Sequence, residues 1–201
     1  ELVHNLGYLS ATELLNIPGS GTVSVSSMSG SFSHDYSLNI EVDNRYVIGL
    51  LGTSVNQNDV PKVVISRLLV ESEDSFSFSM KIFNGIADVD GLDFYVDDQL
   101  VSQNLGYGEF SDYFQVSLQT NEITMKESGT GTYLGNYNLD VTQRTGQTGI
   151  VFSSGSIHSE QNSAQLNMSI AYSNGLVERL ENVVSSLDET ASVQIIHNSP
   201  Y

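Results

Sequence analysis

The acidic stretch from residue 88 to residue 98 holds the side chains best suited to do chemistry. It reads DVDGLDFYVDD and contains five aspartates within eleven residues. Carboxylates at alternate positions beside a glycine can wrap a hard cation such as Ca²⁺, and on this interpretation the metal ligands are Asp88, Asp90 and Asp93. The spacing differs from that of an EF-hand loop. The alternative is that these carboxylates order turns or face solvent.

The other reactive residue types form no catalytic pattern. The four histidines show no metal-ligand spacing, no Gly-x-Ser-x-Gly elbow occurs, and the glycines of residues 129–135 are not part of a phosphate loop. Tyr107, Tyr113 and Tyr133 could stack against a sugar, although filling of cores and edges is the commoner role of tyrosine. The sequence therefore predicts a protein that is not an enzyme, with binding of Ca²⁺ or a glycan as the alternative function.

Charge and cysteine content exclude several classes of partner. The net charge is −17 with only seven Lys and Arg, which argues against nucleic acid and anionic membrane surfaces because both need clustered positive charge. The absence of Cys excludes disulfides, thiolate catalysis and cysteine-based zinc sites. No apolar run approaches the roughly 18 residues of a membrane span, so direct membrane insertion is not expected. Glu1 is not a natural start, so the chain is expected to be processed or excised.

Alternating apolar residues predict an all-β fold. Tyr36, Leu38, Ile40 and Val42 point to one side of the predicted strand at residues 35–42, while the polar residues between them point to the other. This period of two is typical of a half-buried strand. Residues 46–52 form a continuous apolar run, which predicts a strand that is covered on both faces. Further strands follow at a spacing of about 8 to 12 residues, which indicates a β-sandwich or barrel.

One segment departs from the strand pattern. Residues 176–187 read LVERLENVVSSL and place their apolar residues at helical spacing. This spacing predicts a short helix, which either packs on the end of a sandwich or connects two units. The pattern of a strand resumes at residue 191.

The chain contains an internal repeat. NLGY occurs at residues 5–8 and again 99 residues later. The strand-like MKIFNG at residues 80–85 has a counterpart in VQIIHNS at residues 193–199. A period of this length predicts tandem domains that are out of phase with the ends of the chain. The predicted parts are a β-sandwich unit lacking its opening strands (1–72), a complete repeat (73–175), a linker (176–190) and the first strand of a further repeat or a donor strand (191–201).

Three short motifs carry a family resemblance. They are VQIIHNSP at residues 193–200, DFYVDD at residues 93–98 and NLGYGEFSDYFQV at residues 104–116. Together they resemble the repeat signature of the bacterial domain-of-unknown-function family 4397, although Asn84-Gly85 stands where the family often has His-Ala. The resemblance implies tandem immunoglobulin-like β-sandwiches in secreted or surface-anchored bacterial proteins. It implies no enzymatic activity and no agreed ligand.

The absence of opening strands from the predicted first unit has three explanations. The chain is a fragment of a longer array, its last strand folds back into the first unit, or that strand enters the first unit of a neighbouring chain and drives head-to-tail assembly. The sequence leaves these alternatives open. The residues of the candidate donor strand are Val193, Ile195, Ile196 and His197. The predicted function is a non-enzymatic structural or interaction module of a secreted or surface protein, such as a stalk, adhesin or fibre subunit, with itself as the expected partner.

Overall fold

The structure, a computed structural model, describes residues 12, 15–16, 19–26, 33–51, 62–69, 76–157 and 166–183. These residues form fourteen β-strands, so the predicted all-β fold class is confirmed. Within the same ranges, no helix is long and apolar enough to cross a membrane.

The first four strands form two antiparallel hairpins. β1 (Gly21–Ser26) pairs with β2 (Ser33–Leu38). β3 (Arg45–Leu51) pairs with β4 (Lys62–Leu68). Among the described residues, each hairpin is a two-stranded sheet of its own.

The ten strands that follow build two five-stranded sheets. They are β5 (Ser77–Ile86), β6 (Leu92–Val96), β7 (Gln99–Leu105), β8 (Phe114–Ser117), β9 (Thr120–Glu127), β10 (Tyr133–Asp140), β11 (Thr148–Gly155), β12 (Asn167–Tyr172), β13 (Val177–Arg179) and β14 (Glu181–Asn182). One sheet has the order β14-β10-β9-β6-β7, and the other has the order β13-β12-β11-β5-β8. Neighbouring strands are antiparallel except β5 and β11, which run parallel.

The two sheets face each other as a β-sandwich and enclose a shared hydrophobic core. Alternate residues of each strand point inward, as in β5, where Phe78, Met80 and Ile82 are fully buried. The opposite sheet contributes Phe94 and Ile123, which are also fully buried. Removing a side chain of this size from water stabilises the fold by about 1.5–3 kcal/mol, so this core is the main source of stability in the described residues.

Hairpin β3–β4 packs on the outer face of the sheet that contains β5, so β5 is covered on both faces. Its outer residues Ser79 and Lys81 are buried although they are polar. The prediction that residues 46–52 form the doubly covered strand is wrong, since Ile48 and Leu50 of β3 are 38% and 44% exposed. β3 therefore has two apolar faces, and only the face that packs against the sheet containing β5 is covered.

The helix predicted for residues 176–187 is wrong where the structure describes it. β13 adds to the edge of one sheet beside β12, and β14 adds to the edge of the other beside β10. Leu180 lies between them, is buried, and donates its amide hydrogen to the carbonyl of Met168 (2.9 Å). Backbone ladders on both sheets therefore outweigh the helical spacing, and β13 and β14 each extend one sheet of the sandwich. Residues 184–187 lie outside the described residues.

Candidate interaction surface

The end of the acidic stretch forms a tight turn. Asp97 and Asp98 have positive φ angles of 46° and 64° and make the two-residue loop between β6 and β7. Left-handed conformation at both positions is typical of a type I′ hairpin turn, whose twist matches that of antiparallel strands. The Asp97 carboxylate also accepts a hydrogen bond from the backbone N–H of Glu122 (2.8 Å). These two aspartates therefore order the turn.

The three predicted metal ligands do not come together. Asp88 accepts a hydrogen bond from the backbone N–H of Ile157 (2.7 Å) and so holds the segment after β11. Asp93 accepts one from the backbone N–H of Asn104 (2.8 Å) at the end of β7. Asp90 is exposed. The described residues contain no group of three or more His, Cys, Asp or Glu that could hold a metal ion, so the turn-ordering alternative accounts for Asp88 and Asp93.

The three tyrosines proposed as a sugar platform also lie apart. Tyr113 precedes β8, and its hydroxyl accepts a hydrogen bond from the backbone N–H of Leu69 (3.0 Å). Tyr133 begins β10 on the opposite sheet and is 51% exposed. Tyr107 lies in the connection between β7 and β8. Their rings therefore do not form one stacking surface.

Lys81 is the polar centre of the contact between hairpin β3–β4 and the sandwich. Its ammonium group donates a hydrogen bond to the hydroxyl of Ser66 on β4. The same group lies 4.6 Å from the ring centre of Tyr113 and 5.3 Å from that of Phe110, within the range of cation–π attraction. Burial lowers the pKa of Lys81, and the charge of Asp112 partly offsets this effect. A buried amine with these partners fixes where the hairpin can sit.

Contacts at its ends and middle also hold the hairpin on the sheet. The guanidinium of Arg45 donates to the carbonyl of Ser173, and the hydroxyl of Thr148 donates to the carbonyl of Leu69. In the middle of β3, a Cβ built on Gly49 would lie 3.5 Å from the Phe83 ring of β5. Hairpin β3–β4 therefore has an inward face that contacts β5 and an outward face that does not.

The outward face of this hairpin is apolar apart from Arg67, which is exposed and lies opposite Tyr46, and we call its apolar part the hairpin face. Its members are Tyr46, Ile48 and Leu50 of β3 with Val63 and Ile65 of β4. Ile48 lies opposite Ile65, and Leu50 lies opposite Val63. None of the five is fully buried. Because these apolar side chains share one sheet face and none is fully buried, this face is the candidate interaction surface of the described residues.

The hairpin face has a buried counterpart in the sandwich. β11 and β12 form the same antiparallel pair, in which Val151 lies opposite Ile170 as Ile48 lies opposite Ile65. Both Val151 and Ile170 are fully buried beneath the opposite sheet. The residues of the hairpin face therefore occupy the positions that point into the core in β11 and β12.

The other hairpin repeats the correspondence. β1 and β2 pair as β9 and β10 do, with Val23 opposite Tyr36 and Ile123 opposite Tyr137. Described residues 21–68 thus hold two hairpins in the same order as the β9–β10 and β11–β12 hairpins of the sandwich. This order and pairing agree with the predicted repeat, whose domain boundaries stay predictions.

The predicted donor residues Val193, Ile195, Ile196 and His197 lie outside the described residues. Their counterpart MKIFNG lies in β5, where the side chain of Asn84 is fully buried. Its Nδ2 donates to the carbonyl of Leu105 (2.8 Å), and its Oδ1 accepts the backbone N–H of Ile86 (2.9 Å). This position is structural in the sandwich.

Sequence reasoning missed two functional features. Lys81 resembles a solvent-facing residue because it lies between apolar neighbours, and Ser66 is a polar residue followed by the charged Arg67. Only the packing of the hairpin shows that Lys81 and Ser66 meet. β7 was not predicted, although the Asp97-Asp98 pair between two extended segments was a usable signal for a hairpin turn. The hairpin face itself was visible as the apolar run of residues 46–52.

Comparisons with known proteins identify a family. No curated protein and no solved structure matches the chain significantly. The model of the family described as Domain of unknown function (DUF4397) matches residues 78–201. This match begins in β5 and covers the whole of the described sandwich, in agreement with the motifs at residues 93–98 and 104–116. The chain therefore belongs to the DUF4397 family.

Proposed function

We propose that this chain is a non-enzymatic structural and interaction module of a secreted or cell-surface bacterial protein, such as a stalk, adhesin or fibre subunit. In this proposal it consists of tandem immunoglobulin-like units, and the hairpin face is the surface through which it associates with its partner. The favoured partner is a β-strand segment of the same kind of protein, because the hairpin face has the residue pattern of a sandwich core.

The observation that carries this proposal is the contrast in burial between matching positions. Ile170 is fully buried, whereas its match on the hairpin face, Ile65, is only partly buried. Full burial of each large apolar residue would contribute about 1.5–3 kcal/mol. A partner that covers Ile48 and Leu50, now 38% and 44% exposed, would gain about 1–2.5 kcal/mol from their remaining exposed surface. Stable association therefore also needs further contacts, such as the backbone hydrogen bonds of an added strand.

The polar chemistry of the described residues supports a structural role. The best-connected carboxylates, Asp93 and Asp97, bind the backbone of neighbouring strands. The buried amine of Lys81 binds the hairpin. A net charge of −17 keeps such a protein soluble at its surface and disfavours non-specific contacts with nucleic acid and anionic lipid.

The test is the oligomeric state of the full chain, measured by light scattering behind size exclusion over a range of concentrations. We expect species larger than the 21.9 kDa monomer. Leu50→Lys should shift the chain to monomer, since a charge in the centre of an apolar contact weakens binding by about tenfold or more. The matched control is Leu100→Lys, because Leu100 on β7 is 48% exposed, similar to the 44% of Leu50.

Leu100→Lys should leave association unchanged. A chain that stays monomeric at every concentration would overturn the proposal. Equal weakening by Leu50→Lys and Leu100→Lys would also overturn it, because association would then depend on general surface charge rather than on the hairpin face.

A further inference from the structure

β3 has an open edge in the described structure. Among the described residues, β3 pairs with β4 along one edge, from the Arg45–Leu68 pair to the Leu51–Lys62 pair. No described residue pairs with its other edge. The matching strand β11 is paired on both edges, with β12 antiparallel and with β5 parallel. An unpaired edge next to an apolar face is a template for an added strand. The structure thus indicates a position beside β3 that corresponds to the position of β5.

Residues 193–199 carry the side-chain pattern that this position requires. Inward residues of β5 include Met80, Ile82 and Asn84, and all three are fully buried. In the aligned segment VQIIHNS, the residues at these three positions are Val193, Ile195 and His197. The first two positions therefore carry apolar side chains that would extend the hairpin face beyond β3, and the third carries a side chain that can form hydrogen bonds.

We propose that residues 193–199 of a second copy of this chain add to the open edge of β3 as a parallel strand, in the register by which β5 pairs with β11. This inference rests on the proposed function and names the segment that joins the sheet of the hairpin face at its open edge, where backbone hydrogen bonds hold it. In β5 and β11, Ile82 pairs with Val151. The same register pairs Ile195 of the donor with Ile48 of the acceptor. One end of each copy then binds the other end of the next, which is a head-to-tail arrangement.

The direction of the chain favours a second copy over the same copy. β13 runs parallel to β11. The chain then passes into β14 at the edge of the second sheet, which is the sheet farther from hairpin β3–β4. A parallel strand beside β3 must begin level with Arg45, which contacts Ser173. The amide of Ser173 donates to the carbonyl of Thr148 at the start of β11. The chain therefore leaves the sandwich heading away from the level at which the added strand must start.

For a fold-back within one copy, residues 184–192 are barely long enough. Residues 184–192, nine in number, separate the described sandwich from the donor segment and can span at most roughly 30 Å. They would have to pass two sheet spacings of about 10 Å each, reverse direction and return to the level of Arg45. A donor from a second copy reaches the open edge of β3 without this detour.

Disulfide trapping tests this inference, because the chain has no cysteine of its own. Single-cysteine variants Ile48→Cys and Ile195→Cys are mixed in equal amounts and oxidised gently. Neighbouring residues on paired strands have the Cα separation that a disulfide needs. We expect a covalent heterodimer as the main product. The facing control is a mixture of Ile48→Cys with Gln194→Cys, which should give at least tenfold less product because residue 194 points to the other face.

A second pair of mixtures determines strand direction. Parallel addition places His197 beside Leu50, so Leu50→Cys and His197→Cys should trap efficiently. Leu50→Cys and Val193→Cys should not trap, since these positions are then about 13 Å apart along the strand. Antiparallel addition around the Ile48–Ile195 pair would reverse this result and overturn the proposed arrangement.

Three outcomes separate this inference from the function on which it rests. Deletion of residues 193–201, outside the described sandwich, should abolish association. If association persists after the deletion but is still lost in Leu50→Lys, the hairpin face binds a different segment and this inference alone fails. If the double variant Ile48→Cys/Ile195→Cys forms its disulfide within a monomer, the donor is the same copy, which overturns the second-copy assignment. If the chain never associates, both proposals fail.

Discussion

Two hairpins with one pairing pattern have different surroundings in this molecule. In β11–β12 the apolar residues Val151 and Ile170 face a second sheet and are fully buried. In β3–β4 the matching pair, Ile48 and Ile65, faces outward. The residue types are alike, so the difference comes from what covers each hairpin. Apolar alternation determines which face of a strand should be buried, whereas topology determines whether a second layer is there to bury it.

The comparison also explains why β3–β4 is ordered on the sandwich. A two-stranded hairpin is marginally stable by itself, and here it is fixed through its inward face. Lys81, Ser66 and Tyr113 supply polar contacts under the hairpin, and Gly49 permits close approach to Phe83. The hairpin is therefore held by one face while the other is available, which is the arrangement expected of an acceptor surface.

The largest test of this comparison replaces the same residue type in both hairpins. Ile170→Ala should lower the free energy of unfolding by about 2–5 kcal/mol, because it leaves a cavity in a closed core. Ile48→Ala should cost less, about 1–2 kcal/mol at low protein concentration, because Ile48 is already 38% exposed. Urea unfolding followed by circular dichroism measures both. Equal losses in dilute solution would mean that the hairpin face is already covered within one chain.

Strand positions were largely predictable because period-two alternation follows directly from sheet geometry. The alternation of Tyr36 and Leu38 predicted β2, and the apolar run of residues 46–52 predicted β3. The predicted extension of β2 to Val42 is wrong, since β2 ends at Leu38 and Val42 is 70% exposed. The helix prediction failed at β13 and β14 because the helical spacing of a few leucines carries no information about the edges of β12 and β10, with which these strands pair. Local patterns report side-chain direction, and long-range pairing decides between competing elements.

The candidate surface was predictable only in part. The apolar residues of the hairpin face were evident in the sequence. Their exposure could not be predicted, because the sequence does not show that a second sheet covers β11 but not the outward face of β3. Buried Lys81 and Ser79 look like the solvent side of a strand, and a hairpin from earlier in the chain covers them. The role of Asp93 as a carboxylate that orders a turn was among the stated alternatives, and its hydrogen bond to the Asn104 amide supports that alternative.

A pH titration gives a smaller effect at the end of β12. Burial, the hydrogen bond to Glu178 (2.9 Å) and the charge of Glu178 together raise the pKa of Tyr172 to about 12. Unfolded tyrosine titrates near pH 10, so the folded state holds its proton longer than the unfolded state. The resulting stability is complete below pH 10 and is lost as the pH rises through about 12. The match of Tyr172 in β4 is Arg67, which is exposed.

Tyr172→Phe should remove this alkaline loss and cost about 1–2 kcal/mol at neutral pH, because the hydrogen bond to Glu178 is lost. Melting temperature measured between pH 8 and pH 12, together with tyrosinate absorbance, follows both effects. The comparison is Tyr133→Phe, since Tyr133 is 51% exposed, although its burial and the charge of Glu122 also raise its pKa. If the two variants had identical pH profiles, the second-layer burial of β12 would not be the cause of the raised pKa.

The smallest expected effect is that of Ca²⁺. The acidic stretch lies between β5 and β7, and neither strand has a described counterpart beside hairpin β3–β4. A metal site in this stretch would therefore stabilise the sandwich by coordination, which hairpin β3–β4 lacks. Asp88 and Asp93 are engaged with backbone amides, and we expect the melting temperature to change no more with CaCl₂ than with MgCl₂ at equal concentration. Binding at a hundredfold excess over Kd would instead add about 2.7 kcal/mol, a shift of several degrees. A Ca²⁺-specific shift that Asp90→Asn abolishes would restore Asp88, Asp90 and Asp93 as ligands. It would then be coordination, rather than packing, that distinguishes the closed sandwich from the open hairpin.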